Sequence, residues 1–384
     1  MNSLSNPNSA VTAKDSTVSM PATTPIEARQ IRLVPALTEH APAWDSFVEA
    51  HPEGRFSQLW GFRKALSECY GMDCVYLNVF AGDRQCGVFP LVRVKGHPRR
   101  LLSLPFIEYG GPLLEGLAPE RYCELAESLV RYAREQKCGA VEIRGGIGLD
   151  PPKEVAIWLK QPVHSYGTLA LSDPDRMWRS SLTNEARKGV NRARKEGLRV
   201  EIRKGRAAVG DDFYDLYLLS MKRLGAPPHP RKFFSTLADG IGERLVASWI
   251  RRDKQTAAVL IGGVSGQRIH IFTTVSNPDM WNLRPNDMAH WELICWAQRS
   301  GLRTFDFGSA RYGGQIQFKK KWGADLTEYC QHWIGEIGQA AALQLDAMQS
   351  SGKLMRAASY LWRHAMPLAL TPILGPAIRK YVTR

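Results

Sequence analysis

Residues 305–324 read FDFGSARYGGQIQFKKKWGA. Phe305 and Phe307 alternate with Asp306, so the stretch predicts a short strand that stops at Gly308 and gives way to a polar loop containing Gly313 and Gly314. Phe318 and Trp322, four residues apart, then anchor one face of a helical turn. With that face buried, Lys319, Lys320 and Lys321 cannot all point the same way, and one or two of them should face a cleft. The plain alternative is a solvated turn carrying all three charges.

Working outward, the same order of elements occurs twice. In the first copy a helix over 56–70 precedes VYLNVFAGDRQCGVFPLVRV (75–94), which alternates apolar and polar residues around a Gly-Asp turn, the pattern of a β-hairpin. In the second, a helix over 231–241 precedes RLVASWIRRDKQTAAVLIGGV (244–264), and 79–85 lies over 249–255 at a constant offset. Each hairpin is followed by a strand (99–113 and 268–277), a long helix and a short final strand. The second of those helices has Pro285 at its start and Gly301 at its end. Val141-Glu142-Ile143 thus corresponds to Phe305-Asp306-Phe307, and the opening stretch is the exit of the second copy. The first copy ends EIRGGIGLDPPKEV and has no lysine run.

The whole chain sets limits. Its 384 residues, 44% of them hydrophobic, suit two domains of ordinary size. Seven cysteines without CxxC or Cys/His spacing fit reduced thiols in a cytoplasmic protein, with no metal site and no disulfide framework. No stretch approaches a membrane span, and the Ser/Thr/Asn/Pro-rich residues 1–28 lack the apolar core of a secretory signal, reading as a disordered tail. The net charge is +14, and it is local. Asp175 to Arg206 holds eleven basic and four acidic residues, and Lys353 to Arg384 six basic and none acidic. Excess charge this concentrated suggests docking of phosphates or anionic headgroups. In the C-terminal segment Leu354, Ala358, Leu361 and Ala365 share a helical face, so it either attaches to an anionic membrane or packs back on the body as an ordinary terminal helix.

The phrases SLPFIEYGGPL, SSLTNEARKGVNRARKEGL, RPNDMAHWELICWA and above all FDFGSARYGGQIQFKKKWGA resemble the FemAB-like acyltransferases of the GNAT (Gcn5-related acetyltransferase) superfamily, over about residues 30–335. The resemblance implies an α+β chain of two tandem GNAT-like domains, each a mixed, largely antiparallel sheet flanked by helices. The expected boundaries are 1–28 for the tail, 29–165 and 166–338 for the two domains, and 339–384 for a basic amphipathic segment. It also implies transfer of an acyl or aminoacyl group onto an amine, and in the FemAB-like pattern the lysine after the Phe, here Lys319, is linked to stabilising the acyl intermediate or a phosphate. The usual GNAT pyrophosphate loop is not reproduced, since Arg311 is followed by Tyr-Gly-Gly-Gln. That departure counts against acetyl-CoA as donor and leaves another acyl-CoA, aminoacyl-tRNA or a carrier-bound acyl group open, with no tightly bound cofactor.

Acyl transfer develops an oxyanion and requires the amine to lose a proton. Beside Lys319, the candidates for proton transfer are Asp306, which faces either a cleft or solvent, and His290, which is alternatively a packed core residue. Arg311, Tyr312, Gly313 and Gly314 form a loop whose N–H groups could approach a phosphate or carbonyl, and Tyr109 in Glu108-Tyr109-Gly110-Gly111-Pro112 marks a strand end where an acceptor could lie. The basic helix around 181–200 offers Arg187 and Arg194 to a diphosphate or tRNA backbone, or serves as a solvated connector. Together these predict a monomeric, cytoplasmic acyltransferase at the inner membrane face, acting on an amino group of a small-molecule or lipid-linked sugar precursor of the envelope or exopolysaccharide, with tRNA a possible partner. The alternative is a non-catalytic scaffold of the same fold.

Overall fold

The computed structural model describes residues 30–94, 99–146, 149–151, 155, 157–335 and 353–381. The tail expected over 1–28 lies outside them, as do residues 339–352 of the C-terminal segment.

The first half runs β1 (Ile31–Pro35), α1 (Ala41–Ala50), α2 (Trp60–Tyr70), β2 (Asp73–Ala81), β3 (Arg84–Val94), β4 (Arg100–Ser103), β5 (Leu113–Leu114), α3 (Tyr122–Glu135), β6 (Ala140–Ile143) and β7 (Trp158–Ala170). A single turn α4 (Pro174–Arg176) and the basic helix α5 (Asn184–Lys195) follow. The second half then runs β8 (Arg199–Lys204), α6 (Asp211–Leu224), α7 (Arg231–Ile241), β9 (Leu245–Arg252), β10 (Gln255–Ser265), β11 (Arg268–Ser276), α8 (Pro285–Arg299), β12 (Thr304–Ala310), α9 (Gly313–Lys320) and β13 (Asp325–Gly335). Helices α10 (Lys353–Ala365) and α11 (Thr371–Tyr381) close the described chain.

The expected α+β class, a largely antiparallel mixed sheet flanked by helices, is present, and the order of elements repeats. The sheet is continuous through both halves, in the order β1-β2-β3-β4-β6-β13-β7-β12-β11-β10-β9-β8, with β5 off this path on β3. The centre of that order is an exchange of last strands. β13, the last strand of the second half, pairs with β6 of the first, while β7 pairs with β12 of the second. β7 and β13 also pair with each other along most of their length. The division expected at 165/166 falls inside β7.

Strand alternation divides the apolar residues between two layers. On one face Tyr76, Val88, Trp249 and Val259 join Phe62 of α2, Phe213 of α6 and Phe233 of α7 in a core shared by both halves. On the other face α3 covers Leu77, Phe89 and Leu91, and α5 and α8 cover Val246, Ala258 and Leu260. Helices α2 and α7 cross backbone to backbone at Gly61 and Gly240, where a Cβ on Gly61 would stand 2.4 Å from the Gly240 carbonyl carbon. Only glycine fits such a crossing without moving a helix.

The two hairpins confirm the turn chemistry but shift the alignment. Ala81 pairs with Arg84 and Arg252 with Gln255, so the two-residue turns are Gly82-Asp83 and Asp253-Lys254. Gly82 (φ +64) and Asp253 (φ +53) both take the left-handed conformation that opens such a turn. Asp253 is therefore the counterpart of Gly82 and not of Asp83, one residue from the alignment by identity.

Candidate functional site

β11 and β12 are parallel neighbours for three residue pairs only, ending at His270 and Asp306. Beyond this point the strands part, and β12 loses register with β7 between Asp306 and Ser309, where Gly308 adopts φ +79. A cleft of about 470 Å³ opens there, lined by residues 270–274, by 307–309, by Asn286 and His290 of α8, by α9, and by residues 106–109 of the first half.

Lys319 forms part of its wall. The residue is 6% exposed, its stem crosses the face of Gly167 on β7, and its Nζ donates to the Phe307 carbonyl at 2.7 Å. Burial pushes its ammonium down to about 8, only partly opposed by the Asp306 carboxylate. The lysine run divides as its spacing demanded. Lys320 is exposed, while Lys321 is buried, donates to Asp287 at 2.6 Å and lies over the rings of Phe318 and Trp322. Trp322 is fully buried in the core beneath α8 and Phe318 packs against that core. Lys321 and Phe318 also border a second cavity of about 360 Å³ with Arg284 at the start of α8.

Asp306 faces neither the cleft nor solvent. It is 0% exposed, beneath the cleft floor. Its Oδ1 accepts from the Tyr109 hydroxyl at 2.5 Å and the Gly308 N–H at 3.0 Å, and its Oδ2 from Arg55 at 3.3 Å and Arg268 at 3.5 Å. Burial raises its carboxyl, but the flanking charges outweigh this and hold it below the ordinary carboxylate range. Since the Tyr109 proton goes to Asp306, the phenol oxygen is left to accept from His270 Nε2 at 3.1 Å. Tyr109, expected at an acceptor site, is thus committed to a latch between the halves, with Arg55 stacked 5.0 Å from its ring. Arg55, Arg268 and His270 had no sequence signal, because the three-residue parallel pairing that gathers them carries no periodicity of its own.

His290 borders the cleft but sits among Phe307, Phe318 and Trp322, with its Nδ1 2.8 Å from the Asn286 carbonyl. Burial pushes its ring down to about 3, so it is neutral and weakly basic at physiological pH. The loop residues come to the site: Tyr312 is exposed and lines the cleft with Gly314, Gly313 opens α9, and Arg311 pairs with Glu108 across the gap between the halves. The basic helix does not. Arg187 donates to the carbonyls of Trp178, Arg179 and Leu182 and to Asn184, closing the turn before α5, and Arg194 pairs with Glu292 at 3.0 Å. Neither borders the cleft. Among the described residues no group of three or more His, Cys, Asp or Glu is arranged for a metal, and all seven cysteines are free.

Residues 180–320 match the family model described as Acetyltransferase (GNAT) domain. This segment ends one residue past Lys319 and includes both parting strands. About four-fifths of the chain shares its fold with solved structures. The crystal structure of FemX covers 82% of this chain and 99% of its own, with a TM-score of 0.64 and 16% identity. The structure of L-PGS from Bacillus licheniformis covers 83% and 99%, at 0.53 and 12%. The C-terminal domain of a candidate lysylphosphatidylglycerol synthetase from Agrobacterium fabrum covers 81% and 96%, at 0.52 and 12%. No curated protein matches the sequence.

Proposed function

We propose that the chain moves an acyl or aminoacyl group from an activated donor onto an amino group, in the cleft where β11 and β12 part. The observation that carries this is Lys319, a desolvated cation held by a main-chain carbonyl at the parting strands, inside the segment that matches the acetyltransferase domain. The amine nitrogen attacks the acyl carbon, and the carbonyl oxygen becomes an oxyanion that the Lys319 ammonium faces at low dielectric. Collapse breaks the bond to the donor. The leaving thiolate or ribose oxygen takes the amine proton, since Asp306 is ion-paired and His290 is a weak base where it stands.

Acyl-CoA or aminoacyl-tRNA is the donor in this reading, and the acceptor is an amino group on a cell-envelope or exopolysaccharide precursor, small or lipid-linked, at the inner membrane face. One relative in fold supports an aminoacyl variant, being named for lysylphosphatidylglycerol, an aminoacylated lipid. Incubating the protein with labelled acyl-CoAs and charged tRNAs in the presence of amino sugars tests it. Donor loss that requires the amine and vanishes in Lys319→Met is expected; no loss of any donor would contradict the reading.

A further inference from the structure

The C-terminal helices pack on the body with the wrong face for an ordinary terminal helix. In α10 the side that meets the protein carries Trp362, 7% exposed, and Ser359, whose hydroxyl donates to the Gly225 carbonyl at 2.7 Å. The apolar side holding Ala358, Leu361 and Ala365 points outward, with Leu361 60% exposed. α11 repeats the arrangement. Thr371 and Gly375 are buried, the latter against Pro228, while Ile373, Leu374 and Ile378 are exposed, Ile373 at 68%. Each helix therefore leaves apolar side chains open, on a segment, 353–384, with six basic residues and no acidic one.

We propose that this segment seats the chain on an anionic lipid bilayer. An apolar stripe beside basic side chains is the two-part signal of interfacial binding, and the charge complements an anionic leaflet. A second copy of the chain would place the same patch against itself, since a two-fold contact is isologous, and would bring six positive charges against six. No described helix is long and apolar enough to cross a membrane.

The docked face is tied to the cleft. Arg379 of α11 donates to the Pro227 carbonyl at 2.5 Å, and its guanidinium lies 5.2 Å from the ring centroid of Phe106, a residue of the cleft wall held at φ +71. Seating α11 on lipid thus sets the first-half wall of the cleft beside the bilayer, where an amphiphilic acceptor would arrive. That last use rests on the acyl-transfer reading; the docking does not.

Flotation of the full chain with phosphatidylglycerol/phosphatidylcholine vesicles and with pure phosphatidylcholine vesicles tests it without any donor. Binding to the anionic vesicles is expected. Leu361→Glu with Ile373→Glu should weaken it about tenfold or more, and Arg363→Glu with Lys380→Glu at least about 25-fold, at about fivefold for each charge removed. All these side chains are exposed, so circular dichroism and melting should not change. No binding by the wild-type chain, or binding untouched by both pairs, would overturn the proposal. So would a dimer that the apolar pair dissociates.

Discussion

The two halves hold the same buried ion pair at the same place and put it to different ends. In the first half Arg100 and Glu142 pair at 2.6 Å across β4 and β6, which run parallel for three residue pairs. In the second, Arg268 and Asp306 stand at the corresponding positions of β11 and β12. Past Glu142 the chain closes. The 108–111 segment packs onto Gly145 and Gly146, Gly110 donates to the Gly145 carbonyl, and Gln331 of β13 adds a bond to Glu142. Past Asp306 the strands open into the cleft and Lys319 enters. The residue that seals the first parting, Tyr109, also latches the second, so one loop closes the one parting and borders the cleft at the other. Repetition of the backbone conserves the frame, and what fills the gap between the parted strands determines whether a site exists.

Breaking the latch should have the largest effect on the frame. Asp306→Ala leaves Arg55, 1% exposed, without its main partner and should cost about 3–5 kcal/mol in denaturant unfolding. Glu142→Ala removes the carboxylate that Arg100 pairs with in the first half and should cost a similar amount. The comparison sharpens with the isosteric pair: Asp306→Asn should lower turnover because it loosens Tyr109 and Gly308 at the cleft, while Glu142→Gln should leave turnover within about threefold. Equal losses in both would end the distinction between the halves.

Next in size is the pH dependence of Lys319. Its ordinary value is 10.5 and burial brings it to about 8 in the folded chain, so between these limits the unfolded chain holds the extra proton. Raising the pH through that window therefore favours the folded state. Wild type should gain up to ~3 kcal/mol over Lys319→Met between pH 8 and 10.5, read as the difference in urea midpoints, and below pH 8 the difference should be flat.

Smaller still are the glycines of the two partings. A Cβ on Gly145 would lie 2.0 Å from that of Tyr109, whereas one on Gly308 meets nothing nearer than the Ile271 carbonyl at 3.6 Å. Gly145→Ala should cost about 2–3 kcal/mol through overpacking and strain, and Gly308→Ala about 1 kcal/mol through its left-handed backbone alone. If Gly308→Ala proved the more destabilising in a thermal melt, the first parting would not be the closed one.

Much of the frame was legible because it is written in short periods. The hairpins alternate at period two, the first around its Gly-Asp turn, and α8 is bounded by Pro285 and Gly301, while the second turn, Asp253-Lys254, lies one residue from where identity placed it. Phe318 and Trp322 gave the helical turn that separates Lys319 from Lys320. What was not legible depends on distance along the chain. The exchange joins β13 to β6 across 189–195 positions and β7 to β12 across 134–145, and nothing in either strand names its partner. Arg55 and Asp306 meet across 251 positions. Arg187 looked available because a basic helix advertises charge, but the carbonyls that occupy it lie in the turn before α5, whose end could not be located from residue types.

The most direct test of the account is the turnover of Lys319→Met with whichever donor the wild-type chain consumes, its fold checked by circular dichroism. A residue that steadies the oxyanion predicts a loss of about 100-fold or more with little change in donor binding. A folded variant within about threefold of wild type would contradict it.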